Sequence, residues 1–135
     1  MSDSQRTTLY IDTYIDRPAA EVHQFALDPA NLPQWAAGLT GSIDFIDGQW
    51  IAESPMGRIR VVIVEDNHFG VLDHWVTLPN GETVYNPVRA IPHGDGCEVV
   101  FTLRRTDGVT DAEFDADARA VAADLATLKT LLESR

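Results

Sequence analysis

Cysteine is nearly absent from this sequence. Cys97 stands alone, so no disulfide can form within the chain. No His or Lys flanks it closely, which favours a structural thiol at a strand start over a reactive one. Basic residues are also scarce: ten Lys and Arg face 21 Asp and Glu, for a formal net charge of −11. Phosphate backbones repel such a surface, and no basic stripe offsets it, so nucleic acid is excluded as a partner. The acidity reads instead as solubility in a cytoplasm. Apolar runs never exceed a few residues, so no integral membrane span is expected. The opening MSDSQRTTLY holds no apolar signal core, so a cytoplasmic location is expected rather than export. Histidines number four, with His23, His68 and His93 scattered over a helix and two loops in no metal-ligand spacing. There is no G-x-S-x-G, no P-loop and no dinucleotide fingerprint. Neither a metal nor a cofactor is therefore expected. Repeats, low-complexity tracts and linkers are missing too, and 135 residues suit a single domain over 1–135.

What is present is a clear alternation of elements. Residues 1–6 are polar and are expected to fray. Thr8 to Ile15 alternates and is rich in Thr, Tyr and Ile, which predicts a strand. Pro18 suits the first position of a helix whose apolar face is Val22, Phe25 and Ala26. Asp28 predicts a cap for a second short helix with Pro29 at its first position, and Pro33 limits or kinks that helix. Strands are predicted over Ser42–Ile46 and Gln49–Glu53 around the hairpin signal Asp47-Gly48, and over Arg58–Glu65. Further strands are predicted over Val71–Leu78 and Thr83–Ile91 around Asn80-Gly81, and over Glu98–Arg105. Thr110 to Leu132 reads as one long amphipathic helix opened by a capping box of Thr110 and Glu113. Its N-terminal half is rich in alanine, which reflects either helix propensity or, at Ala118 and Ala122, room left for a ligand.

The order is one strand, two short helices, six strands and a long helix. Together with Arg17-Pro18-Ala19-Ala20-Glu21-Val22 and Asp28-Pro29-Ala30-Asn31-Leu32-Pro33-Gln34-Trp35, it resembles the START/Bet v 1-like (SRPBCC) superfamily, in its polyketide cyclase/dehydrase-like branch. Phe69-Gly70-Val71-Leu72-Asp73-His74, Tyr85-Asn86-Pro87 and Gly94-Asp95-Gly96 are similar to runs of a bacterial subgroup. The resemblance implies an α+β helix-grip: a curved antiparallel sheet of seven strands around the C-terminal helix, with a deep apolar cavity between them. It also implies a small hydrophobic molecule as partner. It supplies no universal catalytic residue, and fold alone does not fix function.

Strand parity then nominates cavity residues. A loop at 93–96 pairs Ala90 with Val99, Val88 with Phe101 and Asn86 with Leu103. A two-residue turn at Asn80-Gly81 pairs Thr77 with Val84 and Trp75 with Asn86. On that register Asp73, Trp75 and Asn86 form a polar and aromatic cluster facing inward, while His74 and Arg89 face outward; a one-residue slip reverses the assignment. Asp73 is the candidate catalytic residue, either a cavity acid/base or a carboxylate bonded to its neighbours. The candidate ligand-binding set is Trp35, Asp73, Trp75, Asn86, Val88, Phe101, Ala118 and Ala122. Three functions fit: a binder of an apolar, aromatic or polyketide-like ligand, a cyclase or dehydratase using Asp73, and a non-catalytic module that forms a homodimer through the outer sheet face.

Overall fold

The computed structural model describes residues 7–36 and 41–135; the N-terminal segment expected to fray lies outside them. The chain is α+β, with a long C-terminal helix packed on curved antiparallel sheet. The first strand, β1, spans Thr8–Ile15. Helix α1 (Ala19–Leu27) follows with Pro18 as its N-cap, one position earlier than expected. The Asp28 side chain accepts a hydrogen bond from the Ala30 amide and opens a single 3-10 turn, Pro29–Asn31, which runs into α2 (Leu32–Trp35). Strands β2 (Ser42–Ile46), β3 (Gln49–Ser54) and β4 (Gly57–Ile63) come next. Asp47 and Gly48 both take positive φ in the first hairpin, as the Asp-Gly signal requires. Strands β5 (His74–Thr77), β6 (Thr83–Asn86), β7 (Val88–His93) and β8 (Gly96–Arg104) complete the sheets, and α3 spans Asp111–Glu133.

The strand count differs from the expected seven, for a local reason. The run 83–91 is interrupted at Pro87, which has no N–H to give to a ladder. The break separates β6 from β7. Strands β2-β3-β4-β5-β6 then form one sheet, and β1-β8-β7 the other. The predicted strand from Val71 shortens for the same reason. An isolated bridge, Val71 to Arg89, carries that segment across to β7, through the bonds from Leu72 N–H to the Val88 carbonyl and from Ala90 N–H to the Gly70 carbonyl (both 2.8 Å).

The register of β7 on β8 is as expected, with Val88 opposite Phe101 and Ala90 opposite Val99. The register of β5 on β6 is not. Thr77 lies opposite Thr83, Trp75 opposite Tyr85 and His74 opposite Asn86. The loop holds three residues rather than two. Leu78 N–H bonds the Glu82 carbonyl (2.8 Å), and the Gly81 N–H bonds the Leu78 carbonyl (2.9 Å). This is a type I turn with Pro79 at its second position, followed by Gly81 at φ 89°. Pro79 is preset for that turn, and glycine supplies its left-handed residue. The slip of one residue exchanges the two faces of β5.

Helix α3 grips the sheet most firmly at its C-terminal end. Leu125, Leu128 and Leu132 are at most 2% exposed and join Ile15, Val22, Val88 and Val99 in the core. Each such side chain contributes about 1.5–3 kcal/mol by leaving water. Polar ties reinforce this end. Lys129 Nζ donates to the Tyr14 carbonyl (2.6 Å), the Asp16 N–H donates to the Glu133 carboxylate (2.8 Å), and Arg17 donates to the carbonyls of Glu133 and Arg135 (both 2.9 Å). At the other end, Thr110 and Glu113 form the expected capping box. No described helix is long and apolar enough to cross a membrane.

Candidate functional site

Between α3, α2 and the concave face of the sheet lies a chamber of ≈ 530 Å³. Its deep walls are apolar: Leu72, Val88, Val99, Phe101, Leu125 and Leu128. Trp35 closes one side from α2, and its indole nitrogen is buried without a hydrogen-bond partner among the described residues. Two polar side chains from facing strands, His74 of β5 and Asn86 of β6, also belong to the lining. Asn86 Nδ2 and His74 Nε2 are 3.3 Å apart, and His74 Nδ1 is 3.3 Å from the Leu72 carbonyl. The His74 ring meets Phe101 edge-on at 6.1 Å between centroids. Charged groups gather toward the N-terminal end of α3, where Glu113, Asp117 and Asp124 join Glu82, Asp107 and Arg104 in the lining. Burial and the neighbouring Glu113 carboxylate push the Asp117 carboxyl upward.

Four of the eight sequence-predicted site residues meet here: Trp35, Asn86, Val88 and Phe101. The other four do not. Trp75 points to the outer face, where it is 36% exposed and stacks on Tyr85 at 5.1 Å. Asp73 also lies on that side. Its carboxylate accepts from the Tyr85 hydroxyl (2.6 Å), the Val88 N–H (2.9 Å) and two Arg89 nitrogens (3.2 and 3.1 Å). The inward assignment of Asp73 and Trp75 is therefore corrected, and so is the outward one of His74; all three errors follow from the register slip at Pro79. Ala118 and Ala122 are not part of the lining either. An α-helix turns about 100° per residue, so the face holding Asp117, Val121, Asp124 and Leu128 leaves both alanines to one side, where Ala122 is exposed.

Electrostatics separate Asp73 from His74 as clearly as geometry does. Burial pushes the Asp73 carboxyl up, but the hydrogen bonds from Arg89, Tyr85 and the Val88 amide outweigh it and hold the group below the usual carboxylate range. It stays ionised and fully engaged at neutral pH. Burial holds His74 below the ordinary histidine value, against the opposing pull of the Leu72 carbonyl and the Asp73 charge. The folded protein thus binds fewer protons at His74 than the unfolded chain does below about pH 6.5. Stability from this group is complete above that pH and is lost as pH falls through the folded value. Urea midpoints are expected to be lower at pH 5.5 than at pH 7.5, with a smaller difference in His74→Phe. An unchanged difference would remove His74 from the explanation.

Solved structures share this arrangement over nearly the whole chain. Ara h 8.0201 superposes with a TM-score of 0.72 at 13% identity, covering 96% of this chain and 99% of that one. The fold is Bet v 1-like. XoxI from Bacillus cereus has the same Bet v 1-like arrangement, with a TM-score of 0.69 at 14% identity over 93% of this chain and 94% of its own. DynU16, a protein of the dynemicin biosynthetic locus, matches 93% of this chain at a TM-score of 0.63 and 18% identity; the match spans 47% of DynU16. No protein-family profile matches the sequence, and no curated protein does. At these identities the likeness concerns the Bet v 1-like fold.

Sequence reasoning placed His74 on the outer face and passed over the carboxylates around the chamber. Pro79 was the signal for His74, because proline before Asn-Gly favours a three-residue loop. For the carboxylates the signal was spacing: 113, 117 and 124 continue the stripe of 121, 125 and 128 along one side of α3. A second depression of ≈ 590 Å³, between the β2–β3 hairpin and the short helices, contains none of the predicted site residues. No group of His, Cys, Asp and Glu suited to a metal ion occurs among the described residues.

Proposed function

We propose that the chain, acting as one domain over 1–135, binds a small and largely apolar molecule in the chamber under α3. The observation that carries this reading is the chamber itself. A volume of ≈ 530 Å³ with apolar walls and a few convergent polar groups has the size and character of a small-molecule site. The way α3 is held adds support. Its C-terminal end is tied to β1 and to Asp16 and Arg17, just before α1, by four hydrogen bonds, so the chamber lies under the less firmly tied half. Aromatic surface from Trp35 and Phe101 suits a ring-containing ligand. Nothing in the geometry favours the cyclase or dehydratase alternative through Asp73, whose carboxylate is outside the chamber with its hydrogen bonds already made.

Native mass spectrometry of freshly purified protein is the first test, since a resident ligand adds a discrete mass. The second is titration with N-phenyl-1-naphthylamine, an uncharged dye that brightens in apolar surroundings. One-to-one binding is expected, and Val121→Trp, which places an indole in the chamber from the face of α3, should weaken it about tenfold or more. Wild-type affinity in a folded Val121→Trp protein would rule the chamber out as the binding site.

A further inference from the structure

We infer that the chamber selects a non-anionic apolar ring compound carrying a hydroxyl, an alcohol or phenol, whose O–H donates to Asn86 Oδ1. This inference rests on the proposed ligand reading and specifies the ligand class.

The argument begins with the Leu72 carbonyl, which can only accept a hydrogen bond. Its contact with His74 Nδ1 at 3.3 Å places the imidazole proton on Nδ1. The ring is half-buried and desolvation disfavours its protonated form, so Nε2 carries no proton and acts as an acceptor. The Asn86 group facing it at 3.3 Å must then be the amide nitrogen, which donates. The reversed amide would put Oδ1 against Nε2 and require the ring to hold both protons, the state that burial opposes. The order is self-consistent: Nδ1–H to the Leu72 carbonyl, and Asn86 Nδ2–H to Nε2. His74 thereby acts as a positioning residue that orients the Asn86 carboxamide.

Once oriented, Asn86 has groups to spare. No hydrogen bond engages its Oδ1 among the described residues, and Oδ1 is not among the buried polar atoms lacking a partner. It therefore keeps an open acceptor, on a side chain that belongs to the chamber lining beside Val88 and Phe101. A ligand hydroxyl meets that need in an otherwise apolar site. A ligand without a donor would bury the carboxamide oxygen unpaired, which costs more than the bond itself contributes.

Charge narrows the class further. Among the described residues, the acidic Glu82, Asp107, Glu113 and Asp117 reach the lining against one basic residue, Arg104. The lining carboxylates crowd negative charge there, and the Glu113 charge adds to burial in pushing the Asp117 carboxyl upward. A carboxylate or phosphate ligand adds to that crowding.

Three naphthalene probes of nearly equal size test this in the wild-type protein by isothermal titration at pH 7.5: 2-naphthol, 2-methoxynaphthalene and 2-naphthoate. Naphthol is expected to bind about tenfold or more tightly than the methoxy compound, which has no donor. Naphthoate is expected to bind more weakly than the methoxy compound, because only the charge separates these two donor-free probes. In a folded His74→Phe/Asn86→Leu double variant the ratio of naphthol to methoxynaphthalene affinity should fall to about one. Equal binding of naphthol and methoxynaphthalene to the wild type overturns the inference and leaves the chamber reading intact. A naphthol preference that survives the double variant overturns the role of Asn86. Failure of all three probes to bind overturns the chamber reading itself.

Discussion

Replacing Asp73 by alanine is expected to lower stability by about 2–4 kcal/mol, an effect reserved for buried polar networks. Asp73 is 7% exposed and accepts four hydrogen bonds, three of them from the side chains of Tyr85 and Arg89. The fourth is the decisive one. Pro87 interrupts the strand between β6 and β7, and the Val88 N–H beside the break finds its acceptor in the Asp73 carboxylate. The carboxylate bridges the place where the two sheets part. Alanine leaves that buried N–H unpaired and releases Arg89, whose side chain is half exposed and recovers some of its loss in water. Asp73→Asn keeps an acceptor for Val88 but loses the charge, so an intermediate loss is expected. Because the folded carboxyl titrates below its unfolded value, its contribution is complete above about pH 4 and disappears as pH falls through the folded value. The gap between wild type and Asp73→Ala in urea unfolding should therefore close toward pH 2. A loss below about 0.5 kcal/mol at neutral pH, the level of an ordinary surface change, would show that the bridge is dispensable.

The second large effect is expected at Gly70. This residue sits at φ 72°, and its carbonyl accepts from the Ala90 N–H at 2.8 Å. A Cβ added there would collide with the Ala90 carbonyl oxygen, a backbone atom that cannot rotate away. The left-handed conformation alone costs a non-glycine residue about 1–2 kcal/mol. Displacing the segment from β7 adds the loss of its cross-strand bonds, so Gly70→Ala should cost about 3 kcal/mol or more. Its consequences reach the chamber, because Leu72 and His74 follow within four residues. Asn67, which bonds the Glu65 and Val71 carbonyls and the Phe69 and Val71 amides, holds the other side of the same loop. Gly81→Ala is the informative control: it also has positive φ (89°), but open space surrounds its missing Cβ. Equal losses at the two positions would mean that φ strain, not the collision with β7, sets the cost.

The elements were legible because each is written locally. Thr8–Ile15 alternates, Asp28-Pro29 caps and starts a turn of helix, Asp47-Gly48 makes a hairpin, and Thr110 with Glu113 opens α3. The pairing of β7 with β8 was legible as well, since the alternating apolar residues of both strands agree on one register. The candidate site was legible only in part. Trp35, Asn86, Val88 and Phe101 were placed in the chamber, but Asp73 and Trp75 were placed on the wrong face. Parity carries no correction for a loop that is one residue longer than assumed. Ala118 and Ala122 were chosen for small size, whereas the direction in which α3 faces is set by the leucines that anchor it.

Sequence alone determined the class and order of elements, the cap at Asp28 and the capping box that opens α3. Those depend on periodicity, turn chemistry and capping, which act over a few residues. Tertiary structure decided which side of β5 faces inward, that Pro87 divides the sheet, and that His74 rather than Asp73 joins Asn86. These depend on where the Val88 amide and the Asp73 carboxylate find partners, and those partners meet only when strands 15 residues apart in the chain are brought side by side.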